Sequence, residues 1–418
     1  MTARLLLRMA WRNLWRHPRR TGLTAAAFAV GVFLLIFFLG LGDGMHEKMI
    51  DTGVRIGSGH VVVEPEGARE KVAANLVLTP DSVQAVQRVL ASAPVARRIK
   101  GSAPRLLASG LLSSANNSTG VEVIGADAAR EANFSLLPAR LVEGRYLGPD
   151  GTTPPVVIGQ ALAEKLKVGL DAKVVLMTQA GSEIESQLLR VRGIFKTGMD
   201  DVDGHVITVP LADLQALLSR PGALSQEAIF LWRADDARRV RNLIEAGLHQ
   251  RPVSVLTWRE AMPQLDQFIV VDDAGNYIFN GVVLIMVTLG VLNTVLMAVL
   301  ERRREFGLLA ALGMRPYLVS LMVMTEAMLL TALGAGVGLA AGLAAHRYFS
   351  VHGLNLALVG NQSFSAAGVA IDMVVKSYLY PGRIRWSLTI ITALGALAAL
   401  YPAWRAARTP PTEATRGL

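Results

Sequence analysis

Long apolar runs in this chain are separated by charged interruptions. From residue 21 to residue 42 no charged side chain occurs, which is roughly 33 Å of helix at about 1.5 Å per residue, enough to cross the hydrocarbon of a bilayer. Three more apolar runs follow at 277–300, 317–345 and 386–403. The pattern predicts an α-helical membrane protein with four spans. A cleaved leader is the rival for the first run, but its apolar stretch would be about 7–15 residues followed by a small-x-small site. Here Gly42-Asp43-Gly44-Met45 follows, and the run is expected to be retained.

Residues 43–275 have a different texture. Short β-type runs occur at 60–64, 121–124, 155–158, 173–177, 188–194 and 205–209, with helical periodicity between them at 81–93, 160–166, 211–219 and 235–248. Asp81 and Asp235 are placed as N-caps. The expectation is a large extracytoplasmic α+β domain in two lobes, inserted between the first two spans. Beyond Pro263 the chain reads as a stalk continuing into the second span, and 346–385 reads as a loop before the fourth.

Between the second and third spans stands 301–315, opening ERRREFGLLAALG. At helical spacing Phe306, Leu309, Ala310 and Gly313 share one side and Arg304, Glu305 and Leu308 flank it, so the segment can form a short amphipathic helix. Gly313 suits its end and Pro316 the start of the next helix. Arginines alone would anchor this end in the cytosol. Glutamates add nothing to such anchoring, and Leu308, Leu309 and Leu312 need a cover, as in a helix docked in the groove of a soluble partner. Residues 1–20 place Arg4, Arg8, Arg12 and Arg16 every four positions among Leu, Met and Trp, an interfacial amphipathic helix.

With 52% hydrophobic and 18% charged residues the chain must be part membrane and part soluble. The absence of cysteine excludes disulfides and thiol catalysis. The formal charge of +9 could point to nucleic acid, so its placement decides. Segments 1–20, 301–315 and 405–418 hold 13 arginines against three acids, whereas 43–275 holds 25 basic and 28 acidic groups. This is the positive-inside pattern, with both termini and the hinge in the cytosol. No basic patch is left over for nucleic acid.

Candidate chemistry is sparse. Asp200, Asp201, Asp203 and His205 cluster, but lack the further alternate ligands and distal Glu of a calcium loop, so they read as a solvated loop. No HExxH, GxSxG or GxxxxGK[ST] occurs; no metal or cofactor is expected on this chain, and ATP hydrolysis is assigned to another. Inside the spans, Gly334, Gly338 and Gly342 form a close-packing stripe, within the protomer or across a dimer. Asn293 with Thr294 interrupts the second span and is expected to bond across helices or back onto its own turn. Glu326 needs a partner at its depth, expected to be an arginine of the first helix, because no second intramembrane acid could relay a proton.

The stretch VLNTVLMAVLERRREFGLLAALGMRPYLV resembles the signature of the FtsX-like permeases, membrane subunits of ABC systems that include lipoprotein-releasing and macrolide-exporting types. Glu301, Arg304, Glu305, Gly307, Leu309, Ala311, Leu312 and Gly313 match it. Asn13 to Thr24 resembles the family's opening, residues 156–218 its extracytoplasmic MacB-like domain, and Pro402, Arg405, Ala406, Ala407, Arg408, Pro411, Glu413, Ala414 and Arg416 its close. One departure is Leu170-Asp171-Ala172, where the family usually has a Gly-Asp turn. The resemblance implies a multi-pass protein of the bacterial inner membrane and a coupling helix at 301–315 pushed by a cytosolic ATPase dimer that binds ATP and Mg. It also implies a second permease protomer, a periplasmic carrier or adaptor, and mechanical transmission to the outer domain. Extraction of lipoproteins is the leading expectation; export of drugs, peptides or toxins through an adaptor is the alternative, and signalling to a cell-wall hydrolase a second one. A lipoprotein's acyl chains would enter between the first and second spans of facing protomers, meeting Phe33, Phe37, Phe38, Leu41 and Met45 on one side and Ile278, Val282, Ile285 and Met286 on the other.

Overall fold

A computed structural model describes residues 3–69, 76–148, 153–180, 183–249, 251–355, 364–366, 369–371 and 374–408. Two compact units emerge: one of residues 1–47, 270–360 and 373–418, the other of 48–269 with 361–372.

The first unit is helical. Its helices are α1 (Ala3–Leu14), α2 (Pro18–Ile56), α3 (Pro263–Glu301), α4 (Arg303–Ala311), α5 (Pro316–His352) and α6 (Pro381–Ala407), with α2 and α3 running on into the second unit's residues. Four of them, α2, α3, α5 and α6, are long and apolar enough to cross a membrane. Each outruns its apolar run. The stalk expected beyond Pro263 is continuous helix, and both ends of the loop expected at 346–385 are helix too, because α5 persists to His352 and α6 starts at Pro381. The helix also passes through Gly42-Asp43-Gly44 unbroken. Gly44 has a different purpose, since a Cβ there would collide with the carbonyl of Lys376, and Tyr378 donates its backbone N–H to Gly40.

The glycine stripe is resolved in the same way. Gly334 and Gly342 of α5 meet Phe28 and Ile36 of α2, where an added Cβ would approach their Cβ atoms to 2.9 and 2.8 Å. Small residues let two backbones come together where lipid supplies no hydrophobic drive, and here they do so within the protomer.

The second unit is built on one connected mixed sheet. Its strands are β1 (Val61–Pro65), β2 (Ile99–Ser113), β3 (Ser118–Ala126), β4 (Leu141–Gly144), β5 (Pro155–Gly159), β6 (Lys173–Ala180), β7 (Glu183–Phe195), β8 (Val206–Pro210), β9 (Gln226–Leu231) and β10 (Val253–Thr257). They run in the order β10-β1-β9-β2-β3-β8-β5-β7-β4, with β6 bridging β2 and β7. The pairs β3–β8 and β5–β7 are parallel and the others antiparallel. The two lobes expected from sequence are thus strung on a single array of strands. Val156, Ile158, Val191 and Ile207 are fully buried against the helices Gln160–Leu166 and Leu211–Leu217, which makes the core of an α+β domain.

Three local expectations change. The helix at 80–91 is capped by Thr79, whose hydroxyl accepts from Ser82, because Pro80 takes the first helical position and leaves Asp81 inside the first turn. Asp236, not Asp235, stands at the cap of Ala237–Gly247, and it makes no side-chain cap bond. At the departure from the family turn, Asp171 itself adopts the left-handed conformation, φ 62°, which Asp tolerates better than most residues.

Candidate functional site

The hinge between α3 and α5 is a helix with two unlike sides. Its helix α4 ends at Gly313, whose φ of 86° demands glycine, and Pro316 opens α5. Phe306 is 2% exposed and packs into the bundle core, with Leu309 half-buried beside it. Leu308 and Leu312 are 60% and 77% exposed, and with Arg304 they form a stripe at i, i+4 and i+8. So of the residues expected to meet a partner, Arg304, Leu308 and Leu312 are free to do so; Gly307 and Leu309 face their own bundle.

The hinge acids are engaged inside the chain. Glu326 accepts from Arg302 at 2.9 and 3.1 Å and from the amide of Asn13. Its cation therefore comes from the hinge, and the first helix contributes an amide where an arginine was expected. The arginines of that region reach the hinge instead: Arg16 bonds Glu305 at 2.6 Å and Arg20 bonds Glu301. Burial works to raise the Glu305 carboxyl, yet Arg302 and then Arg16 hold it below the usual carboxylate range. Likewise burial opposes the charge on Arg302, but Glu326 and Glu305 push its pKa above the ordinary value. A cavity of about 50 Å³ lies among Asn13, Arg16, Arg20, Arg302 and Glu326, room for water beside the ion pairs but for little else.

Other sites separate. Asn293 points outward and makes no hydrogen bond among the described residues; the cross-helix bond belongs to Thr294, whose hydroxyl meets that of Thr24 at 3.0 Å. The cargo groups are expected between the spans of facing protomers, and within this one chain they point in several directions. Phe33 stacks on Phe37, and Phe37 turns to Phe349 of α5, whereas Phe38 meets Phe279 of α3. Leu41 and Met45 are half-buried, and Ile278, Val282, Ile285 and Met286 are exposed along α3. The aspartate cluster is not a solvated loop: Asp203 is buried and accepts from Thr197 and Gly198, tying a turn, while Asp200 and Asp201 face solvent. Pro411, Glu413, Ala414 and Arg416 lie outside the described residues.

Sequence reasoning missed a second polar cluster in the helical unit. Arg383 of α6 bridges Asp43 of α2 and Asp273 of α3, and His46 lies between Asp272, at 2.8 Å, and Asp273. The signal was an acid between two glycines, read instead as the end of a span.

Two family models match the chain, the MacB-like periplasmic core domain over residues 21–246 and the FtsX-like permease C-terminal region over residues 277–411. The lipoprotein-releasing system transmembrane protein LolC of Xylella fastidiosa is 23% identical over 93% of this chain and 91% of its own length. The uncharacterized ABC transporter permease YvrN of Bacillus subtilis is 23% identical over 98% of both chains. The macrolide export ATP-binding/permease protein MacB of Nitrobacter winogradskyi is 25% identical over 97% of this chain, which spans 59% of that relative. Among solved structures, the periplasmic region of MacB from Actinobacillus actinomycetemcomitans is 13% identical with a TM-score of 0.36, covering 50% of this chain and 94% of that one. The family models span the domain with its flanking span and the hinge with its bundle alike, and the chain belongs to the FtsX-like, MacB-type family of ABC transporter permeases.

Proposed function

We propose that this chain is the membrane subunit of a lipoprotein-releasing transporter. A separate ATPase dimer, charged with ATP and Mg, closes on the hinge, and the stroke passes along α2 and α3 to the outer domain of a permease pair. That motion lifts lipoproteins out of the inner membrane towards a periplasmic carrier. The observation that carries this reading is the Arg304–Leu308–Leu312 stripe, an apolar and cationic helix face held in place by a buried Phe306 and left uncovered. At 39 residues each, α2 and α3 are roughly 58 Å long, about twice the hydrocarbon thickness, and so serve as levers. Likeness to LolC over nearly all of that relative supports lipoprotein as cargo, and likeness to MacB supports the export reading.

Leu308→Asp should leave the chain inserted and lower its affinity for the ATPase by about 30-fold or more, the cost of a lost interface anchor. Unchanged co-purification would reduce the hinge to an anchor. For orientation, the chain has no cysteine of its own, so single cysteines at Arg4 and Ile184 should label from opposite faces with an impermeant reagent. Cargo is decided by a photocrosslinker at the exposed Val282. Capture of a triacylated lipoprotein that is lost on adding ATP supports release; capture of phospholipid alone, indifferent to ATP, leaves the exporter ahead.

A further inference from the structure

Asn13 at the end of α1, Arg16 in the turn that follows and Arg20 in the first turn of α2 reach the hinge and α5 in three rungs. Asn13 reaches Glu326 of α5, and Arg16 and Arg20 reach Glu305 and Glu301 of the hinge. The rungs differ in strength. Glu326 is 13% exposed and shared with the equally sheltered Arg302, so it stays put. The Arg16–Glu305 and Arg20–Glu301 pairs are open to solvent, and exposed ion pairs of this kind are weak and easily exchanged. The rest of the first helix points elsewhere. Arg4, Arg8 and Arg12 of α1 are exposed without ion pairs among the described residues, as is Arg19 at the start of α2, and Leu7 and Trp11 of α1 and Trp15 just after it are exposed beside them. An amphipathic helix with bare arginines and tryptophans is built to lie on an anionic lipid surface.

We propose that the N-terminal segment, α1 with the turn and first residues of α2 that follow it, is a latch on the coupling hinge whose grip is set by the charge of the surrounding lipid. Arg16 and Arg20 hold the hinge acids where the surface is neutral, and phosphate groups of anionic headgroups draw the same two guanidiniums away where it is not. Arginine suits the exchange, because its planar fork pairs equally with carboxylate and phosphate. Glu301 is then released and Glu305 keeps only Arg302, which Glu326 also holds, so the hinge loosens without coming apart. The latch stands on geometry within the chain; its effect on coupling rests on the function proposed above.

The test is a distance measurement on the full chain in nanodiscs, with spin labels on the exposed Arg12 and Arg315 positions. In phosphatidylcholine the wild type should show one narrow distribution. A phosphatidylglycerol-rich bilayer should shift the latched-to-free ratio by about two- to thirty-fold, the range spanned by two exposed ion pairs. R16Q/R20Q should be free in both lipids, and the swap R16E with E305R should restore the narrow distribution in phosphatidylcholine. A wild-type distribution indifferent to lipid charge, or an R16Q/R20Q distribution equal to wild type, overturns the latch. With the ATPase bound, hydrolysis without cargo should rise by the same factor as the free fraction, and an unlatched hinge with unchanged hydrolysis would remove its regulatory role. If no ATPase binds the chain, the coupling function fails, and the distances still decide the latch.

Discussion

Each of the two units contains a sheltered Arg–Glu pair, and the two pairs are built for different ends. In the sheet domain Arg105 and Glu131 are 3% and 2% exposed and joined by two bonds, at 2.6 and 3.1 Å. Arg105 also donates to the carbonyl of Gly57, so its guanidinium is engaged on two edges. In the helical unit Arg302 and Glu326 are similarly enclosed, but their remaining partners are Glu305 and Asn13, which belong to a surface-exposed hinge and to the first helix. The first pair is closed within one domain and can only hold. The second is an open chain of contacts through α1, α4 and α5, and a movement of any one is felt by the others. Burial alone does not separate a structural pair from a working one; the exposure of the next partner does.

That contrast predicts unequal consequences. Arg105→Ala strands Glu131 in a dry interior and should cost about 3–5 kcal/mol, enough to unfold the domain at growth temperature, whereas Arg105→Met with Glu131→Leu should recover most of it. Thermal unfolding of the purified chain, followed by limited proteolysis at the domain, reads both. If R105A melts with the wild type, the pair is not the lock its geometry indicates.

Glu326→Gln comes next. The amide can still accept from Arg302 and Asn13 but loses the charge, so the expected cost is about 1–3 kcal/mol, borne by the hinge more than by the fold. The ratio of ATP hydrolysed to cargo moved should rise while the melting temperature changes little. A large drop in melting with an unchanged ratio would make Glu326 a structural residue like Glu131.

How much of this was legible follows from the range of the interactions involved. The four spans, the stalk and the hinge stops at Gly313 and Pro316 were readable because apolar length and backbone punctuation are local properties. β2, the strand that joins β3, β6 and β9, was missed, because Gly101-Ser102-Ala103-Pro104 looks like a turn. Its glycine is there for a distant neighbour: a Cβ at Gly101 would enter the ring of Phe134, which itself stacks on Phe230 with centroids 5.1 Å apart. At the hinge the sequence showed which residues were charged and which apolar, but not that Glu301 and Glu305 were already claimed by Arg20 and Arg16, some 280 residues away in the chain.

The smallest expected effect lies where the sheet domain carries a titrating group that the helical hinge lacks. His60 precedes β1, and its Nδ1 accepts the backbone N–H of Leu231, a bond that only an imidazole unprotonated at that nitrogen can make. Burial lowers its pKa to about 4, with Asp51 pulling it up and Lys100 pushing it further down. The folded domain thus refuses a proton that the unfolded chain accepts near pH 6.5. Stability from this site is complete above pH 6.5 and is lost as the pH falls towards 4, by about 2 kcal/mol once partial exposure is allowed for. Other acids titrate in the same interval, so the comparison is with His60→Asn, whose side-chain oxygen can take the same N–H and has no proton to gain. Between pH 7 and pH 4.5 the melting temperature of the wild type should fall by a few degrees more than that of H60N. Parallel decline of the two would mean that His60 takes up its proton as readily in the folded domain as in the unfolded chain, and that its burial and its bond to Leu231 do not set the acid stability of the sheet domain.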